Sequence, residues 1–297
     1  MKIGLIPNTS KANVRELLRM IISKLDDRYL DYSISNNIYD EFNEGEINPK
    51  LFLPNEELFK TSDIIVSLGG DGTMLNTAFH ARNYNTALAG VNFGKLGFLA
   101  EIDLSNLEDF LDYIKNENYT IDERIALDGI SSQKSDEEKL YAINDIVIDK
   151  GPWPKMIEIT LKVDDDYVST FSADGIIIAT PTGSTGYSLS VGGPIVSPNS
   201  DAITISPISP HTLTMRPLVV SSNQKIIVEI RVPNKQVQVS CDGQRVYDYK
   251  APVKIEITKS IHPVRLVHVP GNNYYQILRN KLFWGLDIRN ENLDKDK

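Results

Sequence analysis

Asp63-Ile64-Ile65-Val66-Ser67-Leu68-Gly69-Gly70-Asp71-Gly72-Thr73-Met74-Leu75 is the stretch on which the fold turns. Its apolar run reads as a buried strand, and Gly69-Gly70 end it. Met74, Leu75, Ala78 and Phe79 then follow at helical spacing from near Thr73. The same alternation extends to both sides. Upstream, KIGLIP (2–7) is a short apolar run. Residues 10–25 place Val14, Leu17, Leu18, Ile21, Ile22 and Leu25 on one helical face, with Ser10 as the candidate N-cap. Downstream, Thr86 to Val91 is a third strand. Strands alternating with helices predict a parallel sheet covered on both faces. Ligands of such sheets gather at the carboxyl ends of the strands, where Gly69 stands.

Three glycines among residues 69–72 allow turns closed to other residues and let amide groups approach phosphate oxygens. The following helix aims its positive end at the same place. Asp71 is the odd element, because a carboxylate beside phosphate is repelled unless it serves some end. Three roles fit it: holding Mg²⁺, taking a proton from an attacking hydroxyl, or capping the helix amides. The stretch is neither G-x-G-x-x-G nor a Walker A loop with its lysine, so no motif makes this a dehydrogenase or a P-loop kinase.

Residues 36–57 have weak periodicity and many turn formers, and read as a surface excursion. SNLEDFLDYIKN (105–116) reads as a capped amphipathic helix. From about Tyr119 short runs rich in Ile, Val, Thr and Tyr recur, separated by turns such as Gly151-Pro152 and Asp242-Gly243. This texture predicts an all-β unit, a sandwich or distorted barrel. NNYYQILRNKLFWGL, from Asn272, returns to a helical pattern. The expected division is an α/β domain of residues 1–103, with 271–297 packing back on it, and a β-rich domain of 104–270. Within the β-rich part, Asp174-Gly175-Ile176-Ile177-Ile178-Ala179 leads into Thr180-Pro181-Thr182-Gly183-Ser184-Thr185-Gly186-Tyr187-Ser188-Leu189-Ser190. A loop dense in small hydroxyls and glycines suits a base and ribose lying against backbone. Asn144 and Asp145 interrupt an apolar strand and need partners, either ribose hydroxyls or neighbouring backbone groups. Phe98 walls an aromatic base or belongs to the core.

Composition narrows the class. The 297 residues fit two domains, and 41% hydrophobic with 24% charged residues is ordinary for a soluble protein. No apolar run reaches the ~18 residues of a membrane span. Cys241 is the only cysteine, which excludes an intrachain disulfide and points to a reducing, cytoplasmic setting. A net charge of −9 argues against nucleic-acid partners and implies that phosphate is held locally by amides, a divalent ion and a few cations. His80, His211, His262 and His268 show no metal-ligand spacing, and His211 reads as a loop-holding residue.

GGDGTML, NFGKLGFLAE, NDIVID, DGIIIATPTGSTGYSLSVGGPI, SPISPHTLTMRPLVV and CDGQ, in this order, resemble the NAD kinase family over roughly three quarters of the chain. GGDGT alone is shared with lipid kinases and phosphofructokinases. Its pairing with TPTGSTGYSLSVGGP about a hundred residues later is specific. The resemblance implies an α/β N-terminal domain, a β-rich C-terminal domain and a site between them. It also implies homodimers or homotetramers, NAD as acceptor, ATP or polyphosphate as donor, and a requirement for Mg²⁺ or another divalent cation. By this resemblance Asp71 is the catalytic base on the adenosine ribose 2′-hydroxyl, and Gly69, Gly70, Gly72 and Thr73 form the phosphate loop. Phe98, Asn144, Asp145, Thr182, Thr185, Gly186, Tyr187 and Ser190 line the NAD site, with Asp174 near the nicotinamide end. Tyr187 and its neighbours reach a site on an adjoining subunit. Two positions depart from the family pattern: Asp145 stands where Glu is usual, and Ser172 where bacterial members often carry a basic residue. The rival readings are a lipid or sphingoid kinase sharing GGDGT, and a dinucleotide sensor without catalysis.

Overall fold

The computed structural model describes residues 1–283 apart from 12, 44, 95, 96, 134–139, 232–235 and 272. Lys95 and Leu96 of the predicted loop, and the end of the last predicted helix, lie outside the described residues.

The chain divides into two compact units. The first comprises Met1–Thr77, Thr86–Asp122 and Val267–Lys297. Its strands include β1 (Lys2–Pro7), β2 (Asp31–Ser35), β3 (Phe52–Leu53), β4 (Ile64–Leu68), β5 (Ala87–Asn92) and β6 (Ile102–Asp103). They run in the order β3-β2-β1-β4-β5, with β6 beside β5, and every one of these pairings is parallel. All five residues of β4 and all six of β5 are buried, as parallel strands covered on both faces require. Helices α1 (Val14–Asp26), α2 (Asn55–Thr61), α3 (Asp71–Ala81) and α4 (Leu107–Lys115) follow strands β1, β3, β4 and β6. In α1 the buried residues Val14, Leu18, Ile21 and Leu25 recur at helical spacing.

Several local expectations are corrected. Ser10 does not cap α1: Asn13 occupies the N-cap position without a side-chain bond, and the Ser10 amide donates to Asn8 Oδ1. The stretch 36–57 is more than an excursion. It holds two 3₁₀ turns and the edge strand β3, and Ile38 within it is fully buried. Residues 104–122 group with the first unit instead of opening the β-rich one. The reason is packing: Leu107, Phe110, Leu111 and Ile114 of α4 join the core formed by Val91, Ile102 and the apolar face of α1. Arg28, just past α1, reaches Asp112 on α4 at 2.7 Å. Residues 78–85 group with the second unit, where Phe79 lies 6.2 Å from the Tyr141 ring.

The second unit comprises Ala78–Asn85 and Glu123–Leu266, so β7 (Thr120–Arg124) and β20 (Val264–His268) contain the remaining unit boundaries. Its other strands are β8 (Leu127–Ser131), β9 (Leu140–Ala142), β10 (Asp145–Asp149), β11 (Ile157–Val163), β12 (Asp166–Ala173), β13 (Gly175–Ala179), β14 (Ala202–Ile208), β15 (Leu218–Ser221), β16 (Ile226–Ile230), β17 (Gln236–Cys241), β18 (Arg245–Lys250) and β19 (Val253–Lys259). They form two six-stranded sheets, β15-β14-β13-β10-β17-β18 and β12-β11-β16-β19-β8-β9. Alternate residues from both, such as Ile146, Ile176 and Val239 from one and Ile159, Val228 and Ile255 from the other, share a single core. The predicted hydroxyl-rich loop is a 3₁₀ turn, Thr182–Thr185, followed by the short helix α5 (Tyr187–Ser190). Helix α6 (Tyr274–Leu282) belongs to the first unit, and Asn273 caps it by accepting from the Tyr275 amide.

Candidate active site

In the first unit, the Gly69 amide continues the sheet by donating to the Val91 carbonyl at 2.9 Å. A Cβ on Gly69 would overlap the Thr73 side chain, so the turn into α3 closes only with glycine there. The amides of Thr73 and Met74 donate to the Gly70 carbonyl at 3.0 and 3.1 Å and start the helix. Gly72 lies in that first turn, and Thr73 Oγ1 accepts from Asn8 Nδ2 at 3.0 Å.

Asp71 is the first residue of α3, yet its side chain turns away from that helix. Its carboxylate reaches to the loop after β5. Oδ2 accepts from the Phe98 amide at 2.9 Å, and Oδ1 accepts from the amides of Leu99 and Ala100, each at 3.0 Å. Gly97 is part of this arrangement, because a Cβ there would overlap Asp71 Oδ1. The carboxylate remains about a third exposed, at 31%. It faces a cavity of ≈ 300 Å³ lined by Lys11, Gly69, Gly70, Asn92, Gly97 and Lys281, among others. Oδ1 carries two amide donors and Oδ2 one, so Oδ2 retains more capacity to accept a proton. Phe98 is half-buried. Its ring is 6.3 Å from Tyr274 and 4.8 Å from Lys281 Nζ, placing it beside the cavity and outside the core.

In the second unit, Asn144 lies between β9 and β10, and its backbone is held from both sides. Asp242 Oδ1 accepts from the amides of Ile143 at 2.9 Å, Asn144 at 2.7 Å and Asp145 at 3.4 Å. The Asn144 carbonyl accepts from the Thr180 amide at 2.9 Å. A Cβ on Gly183 would overlap that carbonyl, so the glycine permits the hydroxyl-rich loop to lie against Asn144. Ser184 pins the loop further, donating to the Pro181 carbonyl and accepting from the Val196 amide. Thr182 Oγ1 is buried and meets no partner among the described residues. Thr185 Oγ1 donates to the Thr182 carbonyl, and the Gly186 amide to the Gly183 carbonyl. Tyr187 is 48% exposed, and Ser190 donates to the Tyr187 carbonyl at 2.7 Å. Asp174 pairs with Lys150 at 2.7 Å. The His211 backbone amide donates to the Ser172 carbonyl at 2.9 Å.

Asp145 is buried, and burial, followed by the neighbouring charge of Asp242, pushes its carboxyl up to about 7. The Asp242 side chain is itself fully buried and pairs through Oδ2 with Arg245 at 2.7 Å. The Arg245 guanidinium stacks 3.9 Å from the Phe79 ring centroid and donates to the Tyr141 carbonyl. In the sequence, Asp242-Gly243 is only a turn signal. Asp242 at φ +55° and Gly243 at φ +64° do make that turn, but the side chain also holds Asn144. The signal available was a charged residue beside buried Cys241, whose thiol burial pushes up to about 12.

A parallel α/β unit that ends a buried strand in a glycine turn, joined in one chain to an antiparallel β unit with a hydroxyl-rich loop, defines a two-domain nucleotide kinase fold. Residues 3–119 match the ATP-NAD kinase N-terminal domain and residues 143–269 the ATP-NAD kinase C-terminal domain. The chain therefore belongs to the NAD kinase family. An NAD kinase of Chlorobium luteolum is 36% identical over 285 residues, covering 96% of this chain and 98% of that protein. A yeast NADH kinase solved with NADH has a TM-score of 0.86 at 25% identity, over 97% of this chain and 89% of that one. An NAD kinase from Archaeoglobus fulgidus solved with ATP has a TM-score of 0.72 at 28% identity, over 95% and 98%.

Proposed function

We propose that this chain transfers the terminal phosphoryl group of a nucleoside triphosphate to the 2′-hydroxyl of the adenosine ribose of NAD, giving NADP. The observation that carries the reading is the Asp71 carboxylate, held by three amides beside a glycine turn and open to a cavity. Relatives of this length named NAD kinase support the acceptor, and the neighbour solved with ATP supports the donor.

In the proposed reaction the donor phosphates lie against Gly69, Gly70 and the start of α3, where glycine leaves room for them and the helix directs its positive end. The ribose oxygen forms a new bond to the terminal phosphorus as the bond to the bridging oxygen breaks, and the nucleoside diphosphate leaves. Asp71 accepts the hydroxyl proton through Oδ2. The three amides fix the carboxylate so that no reorganisation accompanies the transfer. In the second unit, Asn144, Asp145 and the loop Thr182–Ser190 bind the dinucleotide. Asp174, paired with Lys150, borders the nicotinamide end.

Mg²⁺ fits this reading as an ion carried by the donor. Among the described residues Asp71 is the one carboxylate lining the cavity, and no three His, Cys, Asp or Glu side chains gather as a metal site. The ion, when bound, neutralises charge on the phosphates, while Asp71 remains the proton acceptor. Homodimers or homotetramers and a reducing, cytoplasmic setting belong to the same proposal. Light scattering of the purified protein tests the first.

The function is tested by incubating purified protein with NAD, ATP and Mg²⁺ and reading NADP with an NADP-specific dehydrogenase. ATP-dependent NADP is expected. Phosphorylated diacylglycerol without NADP, or tight NAD binding with no product, would refute the reading. Replacing ATP by polyphosphate defines the donor range.

A further inference from the structure

The glycine turn carries no lysine of its own, and the net charge of −9 gives a triphosphate no general attraction. Cations nevertheless line the cavity in front of Asp71: Lys11 from the loop after β1, and Lys281 from the last turn of α6. Each comes from a different end of the first unit's sequence.

Lys281 is the better placed of the two. Its Nζ lies 3.8 Å from Asp71 Oδ2 and 4.8 Å from the centroid of the Phe98 ring. At that separation the ammonium is attracted to the carboxylate but makes no hydrogen bond with it. Its three N–H groups are therefore not committed to Asp71. The Phe98 ring beneath it limits where the charge can go, by cation–π attraction. Phe98 thus orders both partners, because its amide also donates to Asp71. The base of α6 is fixed by the Asn273 cap and by buried Ile277 and Leu278. A lysine in the last turn of a helix is ordinarily a solvated charge that complements the helix dipole. Lys281 differs in being 30% exposed, seated on a ring and directed into the cavity that holds the glycine turn.

We propose that Lys281, assisted by Lys11, is the donor-phosphate lysine of this protein, supplying from the C-terminal helix the cation that the glycine turn lacks. Its ammonium binds oxygens of the terminal phosphates of the nucleoside triphosphate next to Asp71. This assignment rests on the kinase reading for its role in turnover, but phosphate binding by Lys281 can be measured without turnover.

The test compares wild type with Lys281→Met and Lys281→Arg, after circular dichroism and thermal melting show each to be folded. Lys281→Gln replaces Met if the apolar side chain disturbs α6. Loss of one charge-assisted hydrogen bond predicts a KM for ATP raised ~10–100-fold, with the KM for NAD within about twofold and partial recovery in Lys281→Arg. An unchanged KM for ATP in an active Lys281→Met variant overturns the proposal. So does a fall in kcat alone with a shifted pH profile, which would mean that Lys281 acts only through Asp71. Calorimetric titration with inorganic tripolyphosphate, without NAD, separates the two readings. If wild type binds it more tightly than Lys281→Met but makes no NADP, the kinase reading fails and the lysine assignment stands. Equal binding removes the assignment whatever the enzyme turns over.

Discussion

Asp71 and Asp242 are built alike and do different work. Each is a carboxylate on which three consecutive backbone amides of a distant segment converge: Phe98, Leu99 and Ala100 on Asp71, and Ile143, Asn144 and Asp145 on Asp242. Each has a cationic partner, Lys281 at 3.8 Å for Asp71 and Arg245 at 2.7 Å for Asp242. What separates them is access. Asp71 keeps 31% of its side chain exposed, beside a cavity, whereas Asp242 is at 0% with its second oxygen taken by Arg245. An amide-held carboxylate with an open oxygen can exchange a proton with a substrate. The same group with both oxygens occupied can only position the chain around it. Asp242 is thus a positioning residue for Asn144 and Asp145.

The comparison breaks if substitutions at the two sites have the same signature. Asp71→Asn is expected to lower kcat by ~10²–10⁴, the range of general-base assistance, while NAD affinity stays within a few-fold. Coupled NADP formation and calorimetry check the two halves of that statement. The variant is not structurally silent: its Nδ2 group meets an amide donor of the 98–100 segment, so about 1–3 kcal/mol of stability goes as well. Asp242→Ala reverses the weighting. It strips a buried charge from Arg245 and frees three amides, and is expected to cost about 3–5 kcal/mol in a urea unfolding experiment. Its loss of activity should appear mainly as a raised KM for NAD. If Asp242→Ala is as stable as Asp71→Asn, access does not distinguish the sites.

Asp145 sharpens the comparison from within the second unit. Its carboxyl is pushed up to about 7, first by burial and then by Asp242. The sign follows from linkage. Between the ordinary carboxyl value near 4 and the raised value near 7, the unfolded chain has lost this proton and the folded chain has kept it. Asp145 therefore contributes stability fully present below about pH 4 and lost as pH rises through about 7. Asp145→Asn cannot ionise, so the difference in unfolding free energy, variant minus wild type, should grow across that window by a few kcal/mol. Urea midpoints at pH 5, 6, 7 and 8 read it, and a difference independent of pH would remove the assigned cause.

Local chemistry made much of this legible beforehand. The buried runs of β1, β4 and β5 and the glycines after β4 are contiguous signals, as is the strand-rich texture of the second unit. The role of Asp71 stayed open because its three donors lie 27, 28 and 29 residues downstream. Nothing in GGDG distinguishes a carboxylate facing a loop from one capping its own helix. Asp242 is harder still, since its amide partners are 97–99 positions away and Asp-Gly is an ordinary turn former. Ser10 has the chemistry of a cap but not the position, for a local reason. Asn8 offers its side-chain oxygen to the Ser10 amide, and α1 begins at Val14. The boundary at 103 failed because α4 is amphipathic and would suit either domain. Which core it joins depends on Val91 and Ile102, which periodicity does not reveal.

The smallest expected change in stability is the most exacting test of the first site. Gly69 and Gly97 are glycines because a Cβ would strike Thr73 or Asp71, but a Cβ on Gly70 meets nothing within 4 Å. Gly70 does not occupy the left-handed region either. Folding alone thus gives little reason for glycine at this position, and Gly70→Ala should leave unfolding free energy within about 0.5–1 kcal/mol of wild type. The open space is the face that the proposed donor phosphates approach. The added methyl group would hold them off the amides, so the KM for ATP should rise several-fold while the KM for NAD does not. An Ala variant with wild-type stability and wild-type donor kinetics would show that phosphate does not rest on this turn. Asp71 would then be a carboxylate with access but no donor beside it, and its difference from Asp242 would have no catalytic meaning.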